Sequence, residues 1–319
     1  MAPTSEIPAI QSSSPAGGAG RTLRLSWRDL LVWALLLPAL AGIWAYSRHI
    51  SAEKDGLQYS WNWQIVTQFF TFRDHAGHLQ PGPLLQGLSS TFKLAVYSIL
   101  VGLLIGIPAG ILQVQKLRLL RLSGQFYVEL IRNIPPLIVV TIFYFFFASP
   151  LVEWLGLESL SRNASPPLRA VLGFLFDMGQ GQNNLILGNF FAAVIILGIY
   201  EGSYIAEIVR AGIQTIPEGQ HKAAFSLGLS PLQNYLLVIL PQTFRAQLPA
   251  LTNQFVSAIK DSAIVSLISI QELTFRSKQV ITTTRAFVES SVAMLLLYLV
   301  LTGLCSFIAG RLAQHYRLR

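Results

Sequence analysis

The chain has 319 residues, 52% of them hydrophobic and 12% charged, and a formal net charge of +8. Soluble domains carry about 25% charged residues, so this composition argues against an ordinary soluble enzyme and for a protein built of membrane spans. The positive charge does not indicate nucleic acid, because the Lys and Arg residues sit beside apolar runs, where membrane topology places them.

Residues 1–29 are rich in Ser, Pro, Ala and Gly, end in Arg21, Arg24 and Arg28, and read as a disordered basic tail. An apolar run over 30–47 follows. Pro38-Ala-Leu-Ala41 resembles a signal-peptide cleavage site, but the run continues past it and the basic region is long for a signal peptide. A retained first span is therefore favoured over a cleaved leader. Residues 30–83 form this extra helix and an extracytoplasmic loop. Trp61 and Trp63 in that loop read equally as interfacial anchors or as cover for a small folded segment.

The second predicted span is centred on 94–112. Gly102, Gly106 and Gly110 recur along it at i+4, a small-residue stripe that lets two helices approach closely. Lys116, Arg118 and Arg121 mark a cytoplasmic loop. The third span covers 126–148, with Glu129 and Arg132 near its start and Pro135-Pro136 inside it, where the missing backbone donors should break or kink the helix. The link over 149–184 holds a short apolar stretch near 171–176, too short to span. The fourth span, 185–205, leads through Glu207 and Arg210 into a polar loop. The fifth covers 248–270 with Lys260 and Asp261 inside it, and the sixth covers 288–309. Residues 311–319 are a basic tail. Cys305, the single cysteine, lies in the sixth span; it offers neither an intrachain disulfide nor a cysteine metal site and reads as a packing residue.

About six spans place both ends on one side. With the termini inside, inner segments hold Arg21, Arg24, Arg28, Lys116, Arg118, Arg121, Arg210, Lys222, Arg245, Arg311, Arg317 and Arg319. The longer outer segments hold fewer: Arg48, Lys54, Arg73, Arg162, Arg169, Arg276, Lys278 and Arg285. This bias predicts cytoplasmic termini and puts the loop over 215–241 in the cytoplasm.

That loop is the most structured polar stretch in the chain. Thr215 and Glu218 have capping-box spacing around Pro217, predicting a short helix. Ala223, Ala224 and Leu227 fall on one face of it. Gly228 is placed to end the helix in the left-handed conformation. Ser230-Pro231 starts a second helix, expected to run through Tyr235 and Val238 to Pro241. The product is a helix, a tight bend and a helix with a small apolar knuckle, shaped to sit in a groove of another protein.

The run Lys222-Ala-Ala-x3-Gly228-x9-Val238-x-Leu240-Pro241 resembles the coupling loop of bacterial ABC importer permeases. The segments Phe126-Tyr-Val-Glu-Leu-Ile-Arg132, Ala206-Glu-Ile-Val-Arg210-Ala-Gly-Ile, Leu240-Pro-Gln-Thr-Phe-Arg245 and Ile259-Lys-Asp-Ser262 are similar to the permeases of polar amino-acid importers of the histidine, glutamine and arginine type. The resemblance covers about 84–309. Two departures stand out: Lys222 replaces the family's usual Glu, and Val238 its common Ile.

The resemblance implies an all-α polytopic bundle: a type I importer permease core of five helices over 84–310, plus the N-terminal helix. It implies a transport component of the bacterial inner membrane, not an enzyme. Its partners would be two ATPase subunits, a second permease chain (identical or a sister) and an extracytoplasmic amino-acid-binding protein, all working in the lipid bilayer without nucleic acid. ATP and Mg are expected on the ATPase, with no cofactor or metal in this chain. Glu218, Gly219, Lys222, Ala223, Ala224, Leu227, Gly228, Leu240 and Pro241 would form the ATPase-coupling loop.

The residues themselves agree in what they lack. There is no G-x-x-x-x-G-K-[ST] phosphate loop, no H-E-x-x-H, and no His or Cys pairing at metal spacing, so an ATP-driven process must draw its energy from another chain. His49, His75, His78, His221 and His315 read as solvated loop residues. A charge inside a bilayer costs at least ~2.5 kcal/mol, so charged residues in spans pair or line a polar path. Lys260 and Asp261 are adjacent, point about 100° apart on a helix, and cannot satisfy only each other. Glu207 with Arg210, and Glu129 with Arg132, stand at i, i+3 and can pair along one face. All six are candidates for the translocation path or a gate, with structural ion pairs as the other reading. A secondary transporter or channel driven by an ion gradient also accounts for the spans and charges, but not for the helix–bend–helix loop.

Overall fold

A computed structural model describes residues 62–73, 77–156, 163–176 and 185–317, together with the isolated residues 38, 42 and 159. The chain divides into two units, Met1–Ser60 and Trp61–Arg319. The predicted tail over 1–29 and first span over 30–47 lie outside the described residues.

The second unit opens with a short helix α1 (Trp63–Thr67) and a two-stranded antiparallel ribbon, β1 (Thr71–Arg73) against β2 (Leu79–Pro81). Helix α2 (Pro83–Gln113) follows, then α3 (Arg118–Asn133), α4 (Pro136–Trp154) and α5 (Pro166–Phe176). Helix α6 (Leu185–Gln214) leads to α7 (Glu218–Ser226). A single turn at Pro231–Gln233 and a widened turn at Asn234–Ile239 enter α8 (Leu240–Asp261), which tightens into a 3-10 segment at Ser262–Ile268. Helices α9 (Leu273–Thr284) and α10 (Phe287–Arg317) close the unit.

Among the described residues, four helices are long and apolar enough to cross a membrane: Pro83–Gln113, Pro136–Trp154, Leu187–Gln214 and Phe287–Arg311. They correspond to the second, third, fourth and sixth predicted spans, with one boundary corrected. The third span begins at Pro136, not at residue 126. Ile134 is forced into an extended conformation (φ −94°, ψ 136°) by the proline that follows it. Pro136 then starts α4 as its first residue, where a missing N–H costs nothing. Phe126 to Asn133 therefore belong to the separate helix α3. The predicted fifth span also shifts. Its helix starts at Leu240, ends at Asp261, and carries Arg245, Gln247, Gln254 and Lys260, too many polar groups for an ordinary apolar span.

Two turns of the wide, i+5 kind interrupt the long helices, at Tyr144–Ala148 and Asn234–Ile239. Each precedes a proline, Pro150 or Pro241. A proline ring clashes with the carbonyl four residues earlier, and the widened turn moves that carbonyl aside without ending the helix. The helix predicted to stop at Pro241 thus continues through it.

Helices α2 and α6 form the centre of the bundle, and the glycine stripe explains how closely they meet. A Cβ on Gly106 would lie 2.6 Å from the Gly202 carbonyl oxygen, and one on Gly110 would lie 2.6 Å from that of Ala206. The stripe predicted from spacing is this seam. Ile205, Val209 and Ile213 on α6 pack with Ile239 and Leu240, so the start of α8 rests on the same core.

Among the described residues, three fully buried carboxylates tie the helices together. Glu201 on α6 accepts a hydrogen bond of 2.5 Å from Gln254 Nε2 on α8. Glu272 caps α9, accepting from the Thr274 and Phe275 N–H groups at 2.7 and 2.8 Å and from the Tyr298 hydroxyl of α10 at 2.9 Å. Glu289 accepts from the Asn62 N–H at 2.8 Å, at the cap of α1.

Candidate functional site

The loop between α6 and α8 has the predicted shape, with three corrections. Gly228 is left-handed at φ +76°. Its N–H bonds the Phe225 carbonyl at 2.9 Å, and the Leu229 N–H reaches the Ala224 carbonyl at 3.2 Å, the double closure that ends a helix on glycine. Ser230 caps the next turn and forms a capping box with Gln233: the Ser230 N–H donates to Gln233 Oε1 at 2.9 Å, and the Gln233 N–H to Ser230 Oγ at 3.3 Å. The first correction is at the other end. Thr215 does not cap α7. Its hydroxyl donates to the Gly212 carbonyl at 2.7 Å, and Pro217 occupies the cap position with no side-chain bond. The second is the continuation through Pro241 described above.

The third concerns the apolar face. Ala224 is 3% exposed and turns into the molecule, while Leu227 is 81% and Phe225 51% exposed. Ala223 is exposed beside them. The outward knuckle is therefore Ala223 with Leu227, one turn apart, while Phe225 is exposed on another side of α7, Leu232, Leu236 and Leu237 are exposed on the second limb, and Ala224 is the inner contact. Lys222 and Glu218, both exposed, pair at 3.4 Å along α7. Gly219 is in the open, with nothing near the position of a Cβ. Leu240 is buried, and Pro241 follows it in the first turn of α8.

The two limbs of the loop are held to each other by a contact the sequence reading missed. His221 Nδ1 and Asn234 Nδ2 lie 3.2 Å apart, and the His221 ring meets the Tyr235 ring edge-on. The signal was the histidine itself, at a loop position facing an amide 13 residues later.

Behind the loop, at the end of α6 that leads into α7, lies a polar cavity of about 530 Å³. Its walls include Gln113 of α2, Glu129 and Arg132 of α3, and Tyr204, Glu207 and Arg210 of α6. Four of the six predicted path residues thus meet in one place. Glu207 and Arg210 form a two-point ion pair, Nε to Oε2 at 3.0 Å and Nη2 to Oε1, and Arg210 Nη1 also reaches Gln214 at 3.1 Å. Arg132 lies over the Tyr204 ring at 5.1 Å. No ion pair joins it to Glu129 among the described residues, so the second predicted i, i+3 pairing is replaced by ring stacking. Tyr204 in turn shares a 3.1 Å hydrogen bond with Tyr200.

Lys260 and Asp261 are elsewhere. They end α8, whose 22 residues separate them from the loop by about 33 Å at 1.5 Å per residue. Lys260 is exposed and Asp261 half-buried, as their angular separation requires.

A family described as "binding-protein-dependent transport system inner membrane component" matches residues 102–318 of this chain, which takes in the seam, the cavity and the loop. The chain belongs to this family. It is 29% identical over 231 residues to the arginine ABC transporter permease protein ArtQ of Escherichia coli K12, covering 72% of this chain and 93% of that protein. It is 32% identical to the glutamate transport system permease protein GluD of Corynebacterium glutamicum, covering 73% of this chain and 75% of that one. A solved structure described as an amino acid ABC transporter with histidines superposes with a TM-score of 0.55 at 28% identity, covering 73% and 94% of the two chains. The chain is thus a membrane protein of the permease class, with the type I importer fold.

Proposed function

We propose that this chain is the membrane half of an ATP-driven importer for polar amino acids, in a bacterial inner membrane with both termini in the cytoplasm. Two separate ATPase subunits hold ATP and Mg and hydrolyse it. A second permease chain, identical or a sister, completes the path. An extracytoplasmic binding protein delivers the amino acid. The observation that carries the reading is the 215–241 loop: a rigid helix–bend–helix with an exposed apolar knuckle, in a chain whose relatives are named as arginine and glutamate permeases.

Closure of the ATPases on ATP pushes the knuckle of Ala223 and Leu227. The push reaches the bundle because Ala224, Ile239 and Leu240 seat the loop in the core and Gly228 fixes the angle between its limbs. Helices α6 and α8 then rock together, as a packed pair moves between two discrete arrangements. Glu129, Arg132, Glu207 and Arg210 line the cytoplasmic mouth of the path. Lys260 and Asp261 act at the far end of α8.

Uptake of labelled amino acids tests this. The vesicles hold this chain, the ATPase and binding protein encoded beside it, and any neighbouring permease. Uptake requiring both ATP and binding protein is the expected result. Uptake that ignores ATP and follows a proton or sodium gradient overturns it.

A further inference from the structure

Leu227 to Ser230 join α7 to the turn at Pro231–Gln233, and a push on α7 must cross them to reach α8. The backbone bonds that close α7 end at Leu229, before the second limb begins. Gly228 has nothing within 4 Å of a Cβ position, and glycine moves between left- and right-handed backbone at little cost. The bend therefore has an angle but little stiffness of its own. Stiffness has to come from contacts between the limbs.

Among the described residues, polar side-chain contacts cross between the limbs at two places. Gln242 Nε2 donates to Gln220 Oε1 at 3.4 Å, a long and exposed bond. His221 and Asn234 make the other at 3.2 Å, with the His221 ring edge-on to Tyr235 at 6.0 Å between centroids. This second contact is the stronger constraint. Asn234 is 1% exposed, and its Oδ1 is buried without a hydrogen-bond partner, so its side-chain amide depends on the bond to His221. Pulling a buried amide from its partner is costly, because no water replaces the bond. Asn234 also opens the widened turn Asn234–Ile239, which runs into buried Leu240 at the start of α8. The contact thus ties α7 to the turn through which the second limb joins the bundle.

We propose that His221 and Asn234 are positioning residues for the coupling step, a clasp through which movement of α7 reaches α8 instead of being taken up by hinging at Gly228. The inference rests on the importer reading for the source of the push. It adds the residues that make the loop stiff; the run by which the loop resembles its family specifies neither of them.

The test is a double-mutant cycle in proteoliposomes that hold this chain, any neighbouring permease, the ATPase and the binding protein, read as amino acid imported per ATP hydrolysed. His221→Phe keeps a ring against Tyr235 and removes Nδ1; Asn234→Ala removes the amide. Each should lower the ratio by about threefold or more, and the two together should lower it no further than the worse single variant. His221→Gln returns a side-chain amide that can pair with Asn234 and should recover about half of the loss or more. That recovery separates a missing bond from a merely destabilised loop. Hydrogen exchange of the same complex without ATP reads the clasp itself: amides over 219–238 should exchange faster in His221→Phe, while those of the α2–α6 seam should not. If Asn234→Ala does not fold, His221→Phe and its recovery in His221→Gln decide the matter. An unchanged ratio in His221→Phe, losses that simply add, or unchanged exchange each overturn the clasp and leave the importer reading standing. A parent complex that hydrolyses ATP yet imports no amino acid sinks the importer reading, and the clasp's role in coupling with it.

Discussion

The seam between α2 and α6 and the bend after α7 both require glycine, for opposite reasons. At Gly106 the backbone conformation is ordinary and the space is missing: a Cβ would meet the Gly202 carbonyl at 2.6 Å and Ile205 at 2.9 Å. At Gly228 the space is open, with nothing within 4 Å, and the conformation is special, φ +76°. One glycine serves a contact between residues nearly a hundred positions apart; the other serves its own chain. The seam builds the bundle that holds the cavity, and in the proposed function the bend would set how that bundle receives force.

The difference is testable by substitution at each site. Gly106→Val should have the larger effect, because the obstacle is backbone carbonyl and cannot step aside. Overpacking at such a point costs about 3 kcal/mol or more. The variant is expected to insert in the membrane but lose its heat-stable, monodisperse fold on solubilisation, which size-exclusion chromatography across a temperature series reads directly. A variant as stable as the parent would mean that the helices do not meet at this glycine.

Gly228→Val should act differently. A β-branched residue in the left-handed region costs about 1–2 kcal/mol, all of it local to the bend. Stability of the bundle should change little, while ATP-dependent uptake falls by about tenfold or more at equal expression. Gly228→Asn is the control, since Asn tolerates this conformation, and it should retain most of the uptake. Normal uptake in the Val variant would deny the bend its coupling role.

The same contrast explains what could be read from the sequence. The bend was legible because its signals are local: Gly228, Ser230 and Pro231 act on their immediate neighbours. The seam was half-legible. The i+4 stripe announced a close approach, but nothing in residues 102–110 named α6 as the partner. The cavity was less legible still. Its charged residues were singled out for lying beside spans, yet the meeting of α2, α3 and α6 follows from packing, and Gln113 and Tyr204 gave no sign of it. The buried carboxylates show the limit most clearly. Glu272 is satisfied partly by the Thr91 hydroxyl, 181 residues away, and Glu289 by the Asn62 N–H, 227 residues away. Glu201 alone carried a usable signal, an acid in the middle of the apolar helix α6. Local cues misled where another neighbour intervened: Thr215 had capping spacing, but its hydroxyl bonds the Gly212 carbonyl behind it.

The smallest effect concerns Lys222, where this chain departs from the usual glutamate of the permeases it resembles. Its side chain is 77% exposed and its partner, Glu218, is 87% exposed. Exposed i, i+4 pairs contribute only about 0.3–0.5 kcal/mol, so reversing the charge should leave the melting temperature within about 1–2 °C of the parent. Lys222→Glu therefore separates the loop's fold from its reception by a partner more cleanly than a glycine variant can. If Lys222 faces an acidic complement on the ATPase, the variant should bind that ATPase about threefold to tenfold more weakly, and the deficit should shrink as salt rises. Titration of the ATPase onto permease nanodiscs at two ionic strengths measures both. Equal affinity at low salt would mean that the charge at 222 points away from the contact. Docking would then rest on the apolar knuckle of Ala223 and Leu227 alone.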